Sequence, residues 1–409
     1  MFLIILILLI PLNLFGQEIS QNSTLQELLE FSAENNPSLK AKFHSWKASL
    51  ERVPQVGSLP DPTLSFSYFV KEVETKVGPQ KAKLSLSQKF PFFGKLDLAE
   101  KVVLKEAESL KQELDWEKVK LFFEVKKAYF ELYFSQIQIK ISQENLLLLE
   151  DILTVTKSKY ENNKTSFANL IQTEIQIEKL KDRIKTLNQL LKVRQANLNF
   201  LLNRSSNAIL PEVKLVFENL TLNKELLKTE ILQNPNIKSL EFLVEKEKAK
   251  TKLSEKDFYP NFTFGIDYAF TESGTTQLKD DGKDPLMLMF GISVPIWREK
   301  YSAKVRESKF RQNSVEQKKQ NQLNKFEFET ESLFFEIEDS ERKITLYENT
   351  LIPKEKQNLE VTKTAYQNGK LDFLNLIDAQ KTLLEFELNL EMAKTKKAIS
   401  LAKLKMITN

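Results

Sequence analysis

Cysteine and histidine, two common catalytic and metal-binding residue types, are almost absent from this chain. Its 409 residues include no Cys and one His, His44. Without Cys there is no disulfide, no thiolate metal site and no lipid-modified cysteine, and one imidazole is too few ligands for the usual metal cluster. His44 lies near Trp46 in a predicted helix, where a packing or surface role is expected, and no Gly-rich phosphate loop occurs. We therefore predict no catalytic residue, no metal site, no cofactor and no enzyme activity.

Charged residues are abundant but evenly mixed. The chain has 60 Lys and Arg and 56 Asp and Glu, giving a net charge of +4. Carboxylates recur three or four residues from Lys, a spacing typical of ion pairs on helix surfaces. A balanced charge spread along the chain argues against nucleic acid as a partner. With 9 Gly and 13 Pro, the composition instead favours long helices.

One sequence block occurs twice. Y-E-N-N-K-T-S-F-A-N-L-I begins at Tyr160, and Y-Q-N-G-K-L-D-F-L-N-L-I begins at Tyr366. An Asn-Pro pair also recurs, with Pro37 and Pro235 separated by 198 positions (235 − 37). Two copies of about 190 residues are too long for a small-repeat solenoid, so we interpret them as a duplicated gene whose halves build one pseudo-symmetric unit.

Four segments alternate between apolar and small or polar residues. They fall in two predicted hairpins, about 62–92 and about 260–296, each with a polar loop. Alternation over nine to eleven residues is typical of a transmembrane β-strand. A soluble half-buried sheet shows the same alternation, but the strand length and the Ser, Thr, Gly and Asn on the polar face favour the membrane. Four strands are too few to close a barrel, which indicates several chains.

The first residues predict a targeting segment. Met1 to Phe15 is almost wholly apolar and is followed by Gly16. This length suits a signal peptide over residues 1–16, with a retained anchor as the alternative. No other stretch approaches 18 apolar residues, so a mature chain that crosses a membrane must do so with strands.

Long helices follow each hairpin. The first repeat, 17–204, predicts a short helix ending near Pro54, the hairpin, a long helix over about 95–161 and a return helix over about 166–203. Residues 205–222 form an irregular side (equatorial) segment, strand-like at 213–217. The second repeat, 223–409, predicts a long helix over about 299–367, broken near Pro353, and a return helix over about 372–405.

The duplicated block predicts a tight turn between each pair of long helices. Asn163 and Gly369 are equivalent, and both residue types tolerate the left-handed conformation that ends a helix. Three residues later, Ser166 and Asp372 are equivalent, and both are good helix N-caps. The chain therefore returns antiparallel at two helical hairpin tips.

Together these features resemble the TolC-like outer-membrane efflux protein family over essentially the whole mature chain. The shared strings are S-L-S-Q-K-F-P-F-F-G-K, I-S-V-P-I-W and Y-x-N-G-K-L-D-F-L-N-L-I-D-A-Q, in that order. The resemblance implies a mixed α and transmembrane β fold and a homotrimer. Its 12-stranded outer-membrane barrel is continued by a periplasmic α-helical barrel. It implies a passive exit duct that works with a periplasmic adaptor (membrane fusion) protein, an inner-membrane pump and outer-membrane lipid.

The resemblance also implies a gate at the hairpin tips. Asp378 matches a position where the family carries an acidic ring, and Asn375 falls where the family can carry a second acid; the two are three residues apart on one helix face. Tyr366 matches a tyrosine of the closing links, and Asn169 replaces an acid. The basic residue expected after the Gly is absent, since Leu371 stands there, one position after Lys370.

A second class of protein remains as an alternative. A periplasmic coiled-coil scaffold or adaptor without a membrane barrel would account for the long helices. Such a protein has no need for four strands of about ten residues with a continuous apolar face. An enzyme is opposed by the lack of nucleophile, base and cofactor motifs.

Overall fold

A computed structural model describes residues 19–20, 22–217, 223–274 and 279–408. The predicted signal peptide, residues 1–16, lies outside the described residues. The chain divides into two compact units. Unit 1 contains Met1–Lys40, Glu117–Ile231 and Phe326–Asn409, and unit 2 contains Ala41–Trp116 and Leu232–Lys325. Each unit therefore takes segments from both copies of the duplication.

The two copies repeat one order of elements. The first copy has α1 (Leu25–Asn35), α2 (Pro37–Gly57), β1 (Thr63–Val73), β2 (Gln80–Phe90), α3 (Lys95–Glu161) and α4 (Phe167–Leu201). The second has α5 (Lys224–Gln233), α6 (Pro235–Lys256), β3 (Asn261–Thr271), β4 (Leu286–Ser293), α7 (Arg298–Leu346), a π-helical turn (Tyr347–Leu351), α8 (Ile352–Gln367) and α9 (Phe373–Thr408). No helix of the described residues is both long enough and apolar enough to span a membrane.

The short helices begin at capped positions. The Thr24 side chain accepts from the Glu27 N–H, and the Glu27 carboxylate accepts from the Thr24 N–H, which completes a capping box. The prediction that α2 ends near Pro54 is wrong, because the helix continues to Gly57 with Pro54 inside it. Proline removes one backbone donor, and the Pro54 carbonyl still accepts from the Ser58 hydroxyl at 2.7 Å.

The four strands of unit 2 form one antiparallel sheet in the order β1-β2-β3-β4. The central pairing joins β2 of the first copy to β3 of the second over ten residue pairs, from Gln80↔Thr271 to Phe90↔Phe262. The alternation predicted β4 to reach residue 296, but its ladder ends at Ser293, opposite Asn261. Pro295 has no N–H to donate to a ladder. Strands β1 and β4 are the two edges.

The register aligns one apolar face across all four strands. Its central rows are Leu64–Leu86–Ile266–Leu288 and Phe66–Leu84–Tyr268–Leu286. These side chains are exposed in the single chain. On the opposite face, the Lys83 ammonium pairs with the Asp267 carboxylate at 2.6 Å, among serines, glycines and the two methionines Met287 and Met289. The sheet therefore has one apolar face and one polar face, as the alternation predicts.

The second long helix of unit 1 changes its winding before Pro353. Residues Tyr347–Leu351 form a π-helical turn, and Pro353 lies in the first turn of α8. The proline ring cannot donate and crowds the carbonyl four residues earlier. A wider turn relieves that crowding without ending the helix.

The side segment of unit 1 packs on the helices as irregular chain. The backbone N–H of Lys214 donates to the Tyr129 hydroxyl at 2.8 Å, and the Lys397 ammonium lies 4.9 Å from the Phe217 ring centroid. The strand-like interpretation of residues 213–217 is wrong, because these residues have no strand pairing. Burial raises the pKa of the Tyr129 phenol, which keeps the hydroxyl protonated.

Candidate gate at the helical hairpin tips

The two tips of unit 1 use the same backbone turn. Asn163 has φ 55° and Gly369 has φ 72°. At the first tip Lys164 N donates to Lys159 O at 2.7 Å, and at the second Lys370 N donates to Ala365 O at 2.9 Å. These six-to-one bonds, with the inner bonds from residues 163 and 369, are Schellman motifs that satisfy the last helix carbonyls. The left-handed residue explains why Asn or Gly stands at this position.

The return helices begin just after these turns. The Ser166 side chain accepts from the Asn169 N–H at 3.4 Å as the N-cap of α4. Asp372 precedes α9, and its backbone carbonyl accepts from the Asn375 N–H at 3.2 Å. Both residues therefore lie where the chain turns into the return helix.

Tyr366 is buried between the two tips. It is 3 % exposed, and its hydroxyl lies 3.4 Å from Thr165 Oγ1 and 3.5 Å from Thr156 Oγ1, either of which can accept its single proton. Thr165 Oγ1 also accepts from Asn169 Nδ2 at 2.9 Å. The structure therefore brings Tyr366 and Asn169, two of the predicted gate residues, to one shared threonine.

Lys159 connects the ends of α3 and α8. Its side chain is 8 % exposed, and its ammonium donates to the carbonyls of Tyr366 and Gln367 and lies 4.7 Å from the Tyr366 ring centroid. A cation bound to terminal carbonyls is favourable at a helix C-terminus, and the aromatic face adds a cation–π contact. Lys159 thus provides a charged contact between the ends of α3 and α8.

Lys159 is not among the residues predicted from the sequence, although the sequence carries a signal for it. Its equivalent in the second copy, 206 residues later (159 + 206), is Ala365, so the duplication does not mark it. However, Lys159 follows the buried residues Ile152 and Thr156 at helical spacing, so the three lie on one buried face of α3. A lysine at an inward helical position needs acceptors, and the carbonyls of α8 supply them.

Further contacts join α3 to the second copy above the tip. Lys363 of α8 forms an ion pair with Asp151. Deeper in unit 1, Gln380 Nε2 donates to Asn145 Oδ1 at 3.1 Å, and both side chains are buried. Around them a core of Leu, Ile, Tyr and Phe side chains draws on α3, α4, α8 and α9. Buried polar pairs fix which helix faces meet.

Equivalent residues at the two tips differ in burial. Tyr160 is 40 % exposed and Phe167 is 54 % exposed, whereas Tyr366 is 3 % and Phe373 is 2 % exposed. Within one chain, therefore, the aromatic pair Tyr366 and Phe373 of the second tip is buried, whereas the equivalent pair of the first tip is exposed.

Asp378 and Asn375 lie apart from these contacts. Both are exposed on α9, and neither side chain has a hydrogen bond or ion pair with the described part of the chain. Residues three apart lie on one side of a helix, so carboxylate and amide share an open face. Among the described residues no group of three His, Cys, Asp or Glu is placed to hold a metal ion.

Comparison with known proteins identifies the class. A profile described as outer membrane efflux protein matches residues 28–204 and 226–409, which is more than half of the chain. The chain therefore belongs to the outer membrane efflux protein family. No curated protein matches the chain at a significant level.

Solved structures with the same fold are outer-membrane channel proteins. CusC, whose crystal structures are described as showing transmembrane channel formation, is 16% identical to this chain. The match covers 94% of this chain and 92% of CusC, with a TM-score of 0.81. VceC of Vibrio cholerae has 16% identity, coverages of 94% and 96%, and a TM-score of 0.77. The open-state MtrE channel of Neisseria gonorrhoeae has 17% identity, coverages of 94% and 88%, and a TM-score of 0.76. At 16% to 17% identity, the similarity of these structures to this chain shows a shared fold.

Family and fold together define the role. The protein is an outer-membrane efflux channel with a large periplasmic helical part. The predicted family, mixed fold and location are therefore confirmed. The family is one of transport ducts rather than enzymes.

Proposed function

We propose that three copies of the chain form a passive exit duct. The observation that carries this proposal is the continuous four-stranded sheet, in which β2 and β3 are fully paired while β1 and β4 are edges. Backbone groups in lipid must be hydrogen-bonded, so open edges need partners. Three sheets joined β4 to β1 give a closed barrel of 12 strands, an even number in the known range.

The two faces of the sheet suit this assembly. The apolar rows face lipid, and the polar face, with Ser85, Gly265 and the Lys83–Asp267 pair, lines the water-filled duct. No pump or nucleotide motif is present in the sequence, so solute movement through the duct is passive. Selection and energy come from a periplasmic adaptor and an inner-membrane pump, with the helical tips as the docking end.

The gate lies at those tips. Three Asp378 carboxylates, one per protomer, form a constriction that attracts cations, with Asn375 beside it. Tyr366, Asn169 and their shared Thr165 hold the tip of each protomer in the closed arrangement. The open face of α9 supports this assignment because the Asp378 carboxylate is free of partners in the described part of one chain.

Membrane fractionation and mass measurement test the proposal. We expect the full-length protein in the outer-membrane fraction and, in mild detergent, a mass of three chains. A soluble monomer in the periplasmic extract would overturn the assembly, and a stable dimer would overturn the closure by three sheets.

A further inference from the structure

The helices of unit 2 lie side by side in one layer. The Glu106 carboxylate of α3 pairs with Arg52 of α2 at 3.7 Å and with Lys246 of α6 at 3.4 Å. On the other side of α6, Glu241 pairs with Lys319 of α7 at 2.7 Å. The order of the helices is therefore α2, α3, α6 and α7, which is also the order of the strands to which they connect.

All four helices contribute to one cavity on one side of this layer. Its volume is about 590 Å³, and cavities of about 300–1,000 Å³ are the usual size of small-molecule sites. Part of the lining is apolar and comes from α2, α3 and α6, namely Val56, Ala99, Val102, Val103 and Leu253. The cavity can therefore accept a small molecule with an apolar body.

Cations outnumber carboxylates in the rest of the lining. The five cations are Arg52, Lys246, Lys250, Lys304 and Arg311, and the three carboxylates are Glu106, Glu247 and Glu307. Arg52 and Lys246 share the single carboxylate of Glu106, and Arg311 pairs with Glu307 at 2.8 Å. The lining therefore has an excess of positive charge.

Lys250 is the cation of the lining that this chain leaves unpaired. It is partly buried, and its ammonium has no ion pair or hydrogen bond with the described part of the chain. Glu247, one turn earlier on α6, has no side-chain partner there either, so its charge offsets one cation without holding it in place. A partly buried ammonium without an acceptor is favourably placed to bind an anion.

Contacts connect the cavity to the polar face of the sheet. Asn261 lies on that face, in alternation with Gly265, and its side-chain oxygen accepts from the Lys95 ammonium at 3.1 Å. Lys95 also pairs with Asp257 at 3.5 Å, and Asp257 pairs with Lys304 of the cavity. The cavity therefore lies on the same side of unit 2 as the polar face, which lines the water-filled path in the proposed duct.

We propose that this cavity binds small organic anions that pass through the duct, namely molecules with a carboxylate, sulfonate or phosphate group on an apolar body. Lys250, Arg52 and Lys246 donate to the anionic group, because one guanidinium and two ammonium groups carry more donors than the shared Glu106 carboxylate accepts. The apolar lining contacts the body of the molecule. The cavity belongs to one unit of a single chain, whereas its access from the duct rests on the proposed function.

Equilibrium dialysis with naphthalene-2-sulfonate tests the anion site. The full-length protein is dialysed in mild detergent at low salt, with protein-free micelles as the blank and naphthalene-2-sulfonamide as the uncharged analogue. We expect the sulfonate to bind about tenfold or more tightly than the sulfonamide, because only the sulfonate forms charge-assisted hydrogen bonds. Equal affinity for the two probes would overturn the role of the cations.

Three variants of α6 test the position of the site. Lys250→Gln should weaken sulfonate binding about tenfold, the loss of one charge-assisted bond, and Lys250→Arg should retain it. The control is Lys252→Gln, which removes an exposed cation two residues away, on another side of the helix, and should leave the affinity unchanged. Unchanged affinity in Lys250→Gln, or an equal loss in Lys252→Gln, would overturn the assignment to this cavity.

The mass of the same detergent sample separates this proposal from the proposed duct. A protein of three chains that does not bind the sulfonate would overturn the anion site and leave the duct intact. A monomer that binds the sulfonate, with loss in Lys250→Gln, would support the anion site and overturn the duct.

Discussion

Lys159 is the residue whose substitution tests the proposed closed arrangement of the tips most directly. In Lys159→Met the apolar stem remains, while the carbonyls of Tyr366 and Gln367 lose a charged donor. Such a bond contributes about 1.5–3 kcal/mol, so we expect about tenfold or more frequent open events in planar bilayers.

The control for that variant is Lys157→Met, on the same helix two residues away. Lys157 is exposed, so its substitution should leave the recordings unchanged. Equal opening of both variants would mean that loss of charge, and not the tip contact, is responsible.

Asp378 is the residue that tests the constriction. Asp378→Ala removes three carboxylates from the proposed ring, and we expect lower cation selectivity and weaker block by divalent cations in planar bilayers. Gln172→Ala, at the equivalent position of the first copy, is the uncharged control. Unchanged selectivity and block in Asp378→Ala would remove Asp378 from the gate.

At the scale of elements, we expect the stability of the contact between α3 and α9 to depend on pH. The Tyr133 hydroxyl donates to Glu391 Oε2 at 2.8 Å, and burial, together with that carboxylate, raises the pKa of the Tyr133 phenol. A raised pKa stabilises the fold fully below the unfolded value, about 10, and this stability is lost as pH rises through the folded value. The melting temperature should therefore fall above pH 10.

The comparison variant is Tyr133→Phe, which lacks the titrating hydroxyl. Its melting temperature should be lower than that of the wild type at pH 8, and the difference should shrink as pH rises above 10. Tyr347→Phe, in the same unit, should leave the wild-type dependence intact. A difference between wild type and Tyr133→Phe that stays constant with pH would contradict the coupling.

Structural features that depend only on residues close together in sequence could be predicted from the sequence. The positions of Asn163 and Gly369 follow from the backbone conformation each turn needs, and the strand faces follow from alternation. The contacts of Lys159 could not be predicted, because they depend on which part of α8 lies beside α3. The different burial of Tyr160 and Tyr366 could not be predicted for the same reason. The two residues stand in equivalent sequences, but different helices pack against them in the fold. The end of α2 was misjudged because one lost hydrogen bond at Pro54 does not outweigh the rest of the helix.

At the scale of the whole molecule, β1 and β4 of neighbouring chains should be close enough to cross-link. The protein has no Cys, so introduced pairs are unambiguous. We expect Ser65→Cys combined with Met287→Cys, Met289→Cys or Gly291→Cys to give disulfide-linked oligomers on denaturing gels for at least one pair. These three positions cover a range of stagger between the edges.

Ser65→Cys with Ser85→Cys is the control, because these residues are register partners on neighbouring strands of one chain. It should form a disulfide within the chain and migrate as a monomer. Monomers alone from all three edge pairs would argue that β4 does not meet β1 of another copy.

The pairing of β2 with β3 also sets an order of events during synthesis and export. Strand β2 ends at residue 90 and its partner β3 begins at residue 261, a separation of 171 residues (261 − 90). Contacts so distant in sequence form slowly, and an unpaired apolar edge invites aggregation. The first hairpin therefore emerges long before its partner exists. During that interval its apolar face and its unpaired edge are open to association with other chains.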